Sequence, residues 1–286
     1  MKKLITTLIA SSIIAASAVS FATPSVDEVK ADIAEFQGFF AKRFPDVALE
    51  DYTNGVNSLP QYADRRANWE LARDFPPYEE FVDIANEEWA KPFANGKTFD
   101  SCFEGKPGGH QYPFVDDGGK LHTVEGDINS CIVANGGEKE KYAGQKMSRL
   151  TIAFKSQSNG EAMDVDYSSS EMRDWYKKGQ EFYWAKRGQL NFSCADCHVL
   201  NSGNKVRGDV LSAGLGHGVG FPVYRVKWGA NSGKKPLGTI HRRYSGCNKQ
   251  VRATPFKKGG DEYLALEVYE AIMNAGVPLE VPSQRQ

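Results

Sequence analysis

Residues 194–198 read Cys-Ala-Asp-Cys-His. Two thiols separated by two residues and followed at once by an imidazole is the spacing that attaches a c-type haem. The thiols add to the porphyrin vinyl groups, and the histidine lies under the iron as proximal ligand. Cys-x-x-Cys alone also serves redox dithiols and half of a zinc site. A zinc site would need a second ligand pair at knuckle spacing, and the chain has none. Cys194 and Cys197 are therefore the candidate attachment residues for one haem c, and His198 is the candidate axial ligand. A covalent haem must be wrapped by chain, and the expected fold is mainly α.

The N-terminus supplies the compartment in which such a motif is used. Met1-Lys2-Lys3 is basic, and Leu4 to Val19 is uncharged and apolar. Ser20-Phe21-Ala22 offers small residues at the −3 and −1 positions of a cleavage site. Residues 1–22 read as a secretory signal peptide. The apolar run is short and broken by Ser and Thr, whereas a spanning helix needs roughly 20 apolar residues. The expected location is a bacterial periplasm, where disulfides persist, with no membrane association after cleavage. Lys plus Arg total 35 against 36 for Asp plus Glu, a balance that excludes a nucleic-acid binder.

The chain repeats one plan. Ser169 to Arg187 carries a helical period, with Met172, Trp175, Tyr176, Gly179, Phe182 and Tyr183 on one face. Tyr263 to Ala275 is a second amphipathic helix, stopped by Gly276 and Pro278. In a cytochrome c unit the first and last helices cross, and Gly179 is placed to allow close approach. The first half echoes this. Glu79 to Ala94 is helix-like, and Trp89 and Phe99 match Phe182 and Phe192 at a constant offset. Thr123-Val124 leads to Cys131 as Thr239-Ile240 leads to Cys247, and Gly-Gly pairs follow at 136–137 and 259–260. The reading is two tandem cytochrome c-like domains. A unit at 23–160 has no haem motif, and a unit at 161–286 carries haem. The boundary lies in the polar stretch Lys155 to Ser170.

Five cysteines are present: 102, 131, 194, 197 and 247. With two on haem, an odd thiol is left over. By the repeat, Cys102 corresponds to the attachment side of a haem site and Cys131 to the far side. With no haem between them their sulfurs can meet, so Cys102–Cys131 is the expected disulfide and Cys247 the odd thiol. A sixth iron ligand is also needed. No methionine lies between His198 and the final helix, which leaves His217, His241 and Cys247. His217 sits in a glycine-rich run, Gly214 to Gly220, where a backbone-bonded role is equally open. The stretch Thr239 to Lys258 around Cys247 holds six Lys or Arg and no acid. Nearby positive charge favours thiolate and attracts a small dianion or an acidic partner surface.

The segment His241-Arg242-Arg243-Tyr244-Ser245-Gly246-Cys247-Asn248-Lys249-Gln250-Val251-Arg252-Ala253, with Cys194-Ala195-Asp196-Cys197-His198 upstream, resembles the SoxA family. This is the A subunit of the SoxAX cytochrome of bacterial thiosulfate oxidation, L-cysteine S-thiosulfotransferase. Many members carry two haems. This chain lacks the N-terminal motif and resembles the single-haem subgroup, in which a disulfide takes that place. The resemblance implies that Cys247 is both distal iron ligand, commonly as a persulfide, and covalent catalyst. It implies that Arg243 binds substrate, one helical turn from Cys247. It also implies a reaction that joins thiosulfate to a cysteine of the SoxYZ carrier protein and passes two electrons to cytochrome c. The SoxX cytochrome is the implied partner in a heterodimer. The main competing class is a plain electron-transfer cytochrome, with His217 or His241 as sixth ligand and Cys247 structural. A haem-based sensor and a two-haem peroxidase are disfavoured, the first by the lack of a signalling domain and the second by the single motif. His110 and His122 read as surface residues.

Overall fold

The computed structural model describes residues 22–231 and 235–285. The expected signal peptide, apart from Ala22, lies outside the described residues. None of the described helices is long and apolar enough to cross a membrane. The fold is mainly α, as expected. The leading helix α1 (Val26–Arg43) starts at a capping box: Ser25 Oγ accepts the Glu28 N–H, and the Glu28 carboxylate accepts the Ser25 N–H. Its buried stripe is Val29, Ile33, Phe36 and Phe40, the spacing of one apolar face. Short 3-10 turns then lead to α2 (Ala63–Asp74), which buries none of its residues.

The first half continues with α3 (Glu79–Ala90), α4 (Asp100–Phe103), a hairpin of β1 (Phe114–Val115) and β2 (Leu121–His122), α5 (Val124–Ala134) and α6 (Gln145–Lys155). The second half has α7 (Ser170–Trp184), a π-turn at Asp196–Leu200, and a hairpin of β3 (Lys205–Val206) with β4 (Asp209–Val210). After these come β5 (Val223–Arg225), α8 (Val226–Asn231), β6 (Leu237–Gly238), α9 (Ile240–Gln250), α10 (Asp261–Met273) and β7 (Ser283–Arg285). Strand β5 is the middle of a small sheet, antiparallel to β6 and parallel to β7.

The helix order α3–α5–α6 recurs as α7–α9–α10, and in each set the first helix packs on the last. Gly179 marks the second crossing. A Cβ there would stand 2.0 Å from the Ala265 carbonyl oxygen and 2.6 Å from Tyr269 Cβ, so only glycine lets α7 and α10 approach this closely. The halves are tied by side chains. Gln145 Nε2 donates to the Leu237 carbonyl at 2.7 Å, its Oε1 accepts the Leu237 N–H at 3.2 Å, and the Thr239 hydroxyl donates to the Tyr142 carbonyl at 2.7 Å.

The core of the first half is aromatic. Trp89 stacks on Phe99 at 4.9 Å, and Phe103 meets Phe154 at 4.4 Å. Cys102 and Cys131 are joined, with an S–S distance of 2.04 Å. Replacing both cysteines by serine frees a loop with a sequence separation of 29. The expected cost is about 3–4 kcal/mol on the chain-entropy account, to be read from denaturant midpoints of the two proteins. His122 is not a surface residue. It is buried, stacked on Phe114, with Nδ1 2.6 Å from Asp127 and Nε2 3.0 Å from Asp116. Asp127 also accepts from Lys106 and from the Tyr112 hydroxyl, and a buried carboxylate needs such partners.

The leading segment, which the sequence reading put in the first unit, packs on the second half. The Tyr176 hydroxyl and Gln180 Nε2 each donate to Asp32 at 2.8 Å. Gln37 donates to the Ala275 carbonyl at 2.8 Å, and the Arg43 guanidinium to the Ser202 carbonyl at 2.7 and 3.0 Å. The cause is the apolar stripe of α1, whose Phe36 edge meets Tyr183.

Candidate functional site

The Cys194–His198 motif is set by a reciprocal turn. Ser193 Oγ accepts the Asp196 N–H at 2.9 Å, and the Asp196 carboxylate accepts the Ser193 N–H at 2.8 Å. The π-turn that follows carries Cys197 and His198. With Cys102 and Cys131 bonded, the free cysteines among the described residues are Cys194, Cys197 and Cys247. Burial pushes the Cys194 thiol up, and the nearby Glu270 and Cys247 charges add to this. The Cys197 thiol is raised by burial and then by Cys247. Cys247 thus stands near enough for its charge to bear on both motif thiols.

His198 is held from one side. Its Nδ1–H donates to the Ser212 carbonyl at 3.0 Å, and its own carbonyl accepts the Gly214 N–H at 2.7 Å. Burial, and then the neighbouring His217, bring its pKa down to about 3. The imidazole is therefore neutral, with Nδ1 engaged and Nε2 left as the nitrogen for a metal. The Tyr183 hydroxyl is buried beside these groups without a hydrogen-bond partner. Two free thiols, a neutral, oriented imidazole and an orphaned hydroxyl at their side form a donor set that fits haem c. Cys194 and Cys197 would hold the porphyrin and His198 the iron.

Helix α9 brings the other candidates. Arg243 and Cys247 lie one turn apart on it, both half-buried. The Arg243 charge bears on Cys197, His198 and His217. Further cations stand nearby. The Arg225 and Arg242 guanidinium groups lie 5.2 and 4.1 Å from the Trp228 ring. Burial, then the proximity of Arg243, draws Arg225 down to about 10. In the first half the residue four before the cysteine is Asp127 rather than an arginine, and Lys106, Tyr112 and His122 engage it.

The two histidines that competed with Cys247 are otherwise occupied. His241 is fully buried. Its Nδ1 accepts the Gly259 N–H at 3.0 Å, so the proton is on Nε2, which donates to Glu267 at 3.0 Å. His217 lies against His198, with ring centroids 4.3 Å apart, on the same side of the site. Its nitrogens face Ser212 Oγ and Glu270. Sequence reasoning missed Ser212, Tyr244, Glu270 and Asn274. The available signal was Glu270 itself, an acid within the otherwise apolar run Val268 to Met273.

The SoxA/TsdA cytochrome c domain family matches residues 84–163, the half without the haem motif. The L-cysteine S-thiosulfotransferase subunit SoxA of Chlorobaculum tepidum (strain TLS) is 42% identical over 262 residues, covering 90% of this chain and 88% of that protein. The chain belongs to the SoxA family. The SoxA subunit of Allochromatium vinosum is 37% identical over 272 residues, covering 94% and 92%. The crystal structure of SoxXA from P. pantotrophus contains a chain that matches with a TM-score of 0.67 at 33% identity, covering 76% of this chain and 84% of that one. Membership of the SoxA family agrees with the resemblance read from the Arg243–Cys247 segment.

Proposed function

We propose that this chain is the A subunit of a periplasmic SoxAX cytochrome, an L-cysteine S-thiosulfotransferase. It joins thiosulfate to a cysteine of the SoxYZ carrier and passes two electrons to cytochrome c. The observation that carries the reading is helix α9, which holds Arg243 and Cys247 one turn apart, the Cys247 charge bearing on Cys194 and Cys197 and the Arg243 charge on Cys197 and His198. The names of the SoxA relatives and the SoxXA likeness support the activity and a heterodimer with the SoxX cytochrome. Cys194 and Cys197 would hold one haem c, and His198 and Cys247 would ligate its iron. The haem-less unit at 23–160 and the haem unit at 161–286 act as one body, with α1 laid on the second. Residues 1–22 are the cleaved signal peptide.

Thiosulfate is a compact dianion, and the Arg243 guanidinium offers a planar fork of donors to its sulfonate oxygens. The Cys247 sulfur, as thiolate or persulfide, bonds to the outer sulfur of thiosulfate with loss of two electrons. Haem, when bound, supplies a one-electron acceptor at that sulfur, and cytochrome c takes both electrons in turn. The carrier thiolate then attacks the outer sulfur of the adduct. The carrier leaves with the thiosulfonate group, and the Cys247 sulfur returns to its starting anion.

Arg243→Ala is expected to lower kcat/KM for thiosulfate roughly ten- to hundred-fold, the worth of a charge-assisted hydrogen-bond pair. The check is thiosulfate-dependent labelling of the SoxYZ cysteine by the SoxX-bound protein, with cytochrome c as acceptor. An unchanged kcat/KM removes Arg243 from the site.

A further inference from the structure

Glu270 is a buried acid on α10, 6% exposed, with no part in the scheme above. A carboxylate is kept out of water only where partners offset the cost, and its partners run in two directions. The Tyr244 hydroxyl donates to Oε2 at 2.6 Å. Tyr244 stands on α9 between Arg243 and Cys247. On the other side Oε1 faces His217 Nδ1 at 3.4 Å, which puts the ring proton on Nδ1. His217 Nε2 then accepts from the Ser212 hydroxyl at 2.9 Å, and the Ser212 carbonyl accepts the His198 Nδ1–H at 3.0 Å. Asn274, one turn beyond Glu270, pins the intervening loop by accepting the Gly216 N–H and donating to the His217 carbonyl. A single hydrogen-bonded chain thus runs from the proximal histidine to the helix that carries the sulfur.

We propose that Glu270 is a positioning residue that ties the His198 side of the site to helix α9, holding the Cys247 sulfur in place and setting the redox poise of the bound haem. The proposal rests on the reading that His198 and Cys247 serve the same iron. Partners behind a metal-bound imidazole fix its orientation and raise its basicity. A negative charge in a poorly solvated site favours the oxidised, more positive iron. Tyr244 and His217 meet the Glu270 carboxylate directly, and the titratable groups within reach of its charge are His198, Glu267, Tyr183, Tyr269 and Cys194. Burial pushes the carboxyl up to about 7, so its charge is present in mildly alkaline buffer and largely absent in mildly acid buffer.

The test is the midpoint potential and optical spectrum of the haem-loaded protein with its SoxX partner. Wild type, Glu270→Gln and Tyr244→Phe are titrated in both buffers. Glu270→Gln is expected to match wild type in acid buffer and to lie above it in alkaline buffer, a split that a purely structural role does not produce. Tyr244→Phe removes a donor that stabilises the carboxylate, so the pH dependence should move to higher pH, with a changed ligand spectrum. Cys247→Ala separates the two ways of failing. If it changes the ligand spectrum while Glu270→Gln tracks wild type in both buffers, the bridge is wrong and the ligation stands. If Cys247→Ala leaves the spectrum unchanged, the shared-iron reading falls and the bridge with it.

Discussion

Cys247→Ala is expected to lower conjugation of thiosulfate to the carrier cysteine by roughly 10³-fold or more, as removal of a covalent nucleophile does elsewhere. The size follows from the lack of a substitute. Among the described residues the other free thiols are Cys194 and Cys197, and both are committed to the haem in this account. Arg243 would still bind the anion, so affinity for thiosulfate should change far less than turnover. The fold should survive. Helix α9 is held by Asn248, whose Nδ2 donates to the Tyr244 carbonyl and the Tyr263 hydroxyl, and by Tyr244 on Glu270. The check is carrier labelling followed by mass, with haem content and circular dichroism as controls. Labelling at the wild-type rate would remove Cys247 from the chemistry.

The second large effect is on stability. In an exposed helix interior Gly→Ala stabilises by about 1 kcal/mol. Gly179→Ala is expected to do the reverse. The new Cβ would fall 2.0 Å from a backbone oxygen, that of Ala265. Neither that oxygen nor Tyr269 Cβ is the end of a flexible side chain, so the relief available is a separation of α7 from α10. Overpacking of a rigid contact costs about 1–3 kcal/mol and occasionally more. With the cost at the top of that range for a clash with backbone, less the helix gain, the expected net is about 2 kcal/mol of destabilisation, or roughly 4–8 °C in Tm. Thermal unfolding of the haem-loaded protein reads it directly, and a rise in Tm would show that the crossing is looser than the structure has it.

Much of this was legible in the sequence because it rests on local rules. The helix at Ser170–Trp184 starts at Ser169, the residue that opens the predicted segment, and Gly179 falls on the crossing. The Cys102–Cys131 bond followed from comparing the halves. Helix α1 was not anticipated. Its stripe of Val29, Ile33, Phe36 and Phe40 is periodic, but nothing local says that it lies on α7 and α10 from well over a hundred residues away in sequence. His122 was read as a surface residue because its burial depends on Asp127, Asp116 and Phe114 meeting around it in three dimensions. The same holds for the site. Cys194, Cys197 and His198 announce themselves by spacing and Cys247 by its basic surroundings, whereas Arg243 came only from the resemblance to the SoxA family. Ser212, His217 and Glu270 are single polar residues whose meaning appears only when three separate elements meet. That both nitrogens of His241 are engaged, by groups distant in sequence, also needed the structure.

The central claim is that the Cys247 sulfur carries thiosulfate-derived sulfur during turnover. Peptide mass spectrometry across Cys247 tests it most directly, on protein prepared without thiols and quenched while it is labelling the carrier. With thiosulfate carrying a sulfur isotope in its outer position, the Cys247 peptide is expected to take up that isotope in a form cyanide removes, and to take up far less of it in Arg243→Ala protein. An unmodified Cys247 in protein that is turning over at full rate would contradict it.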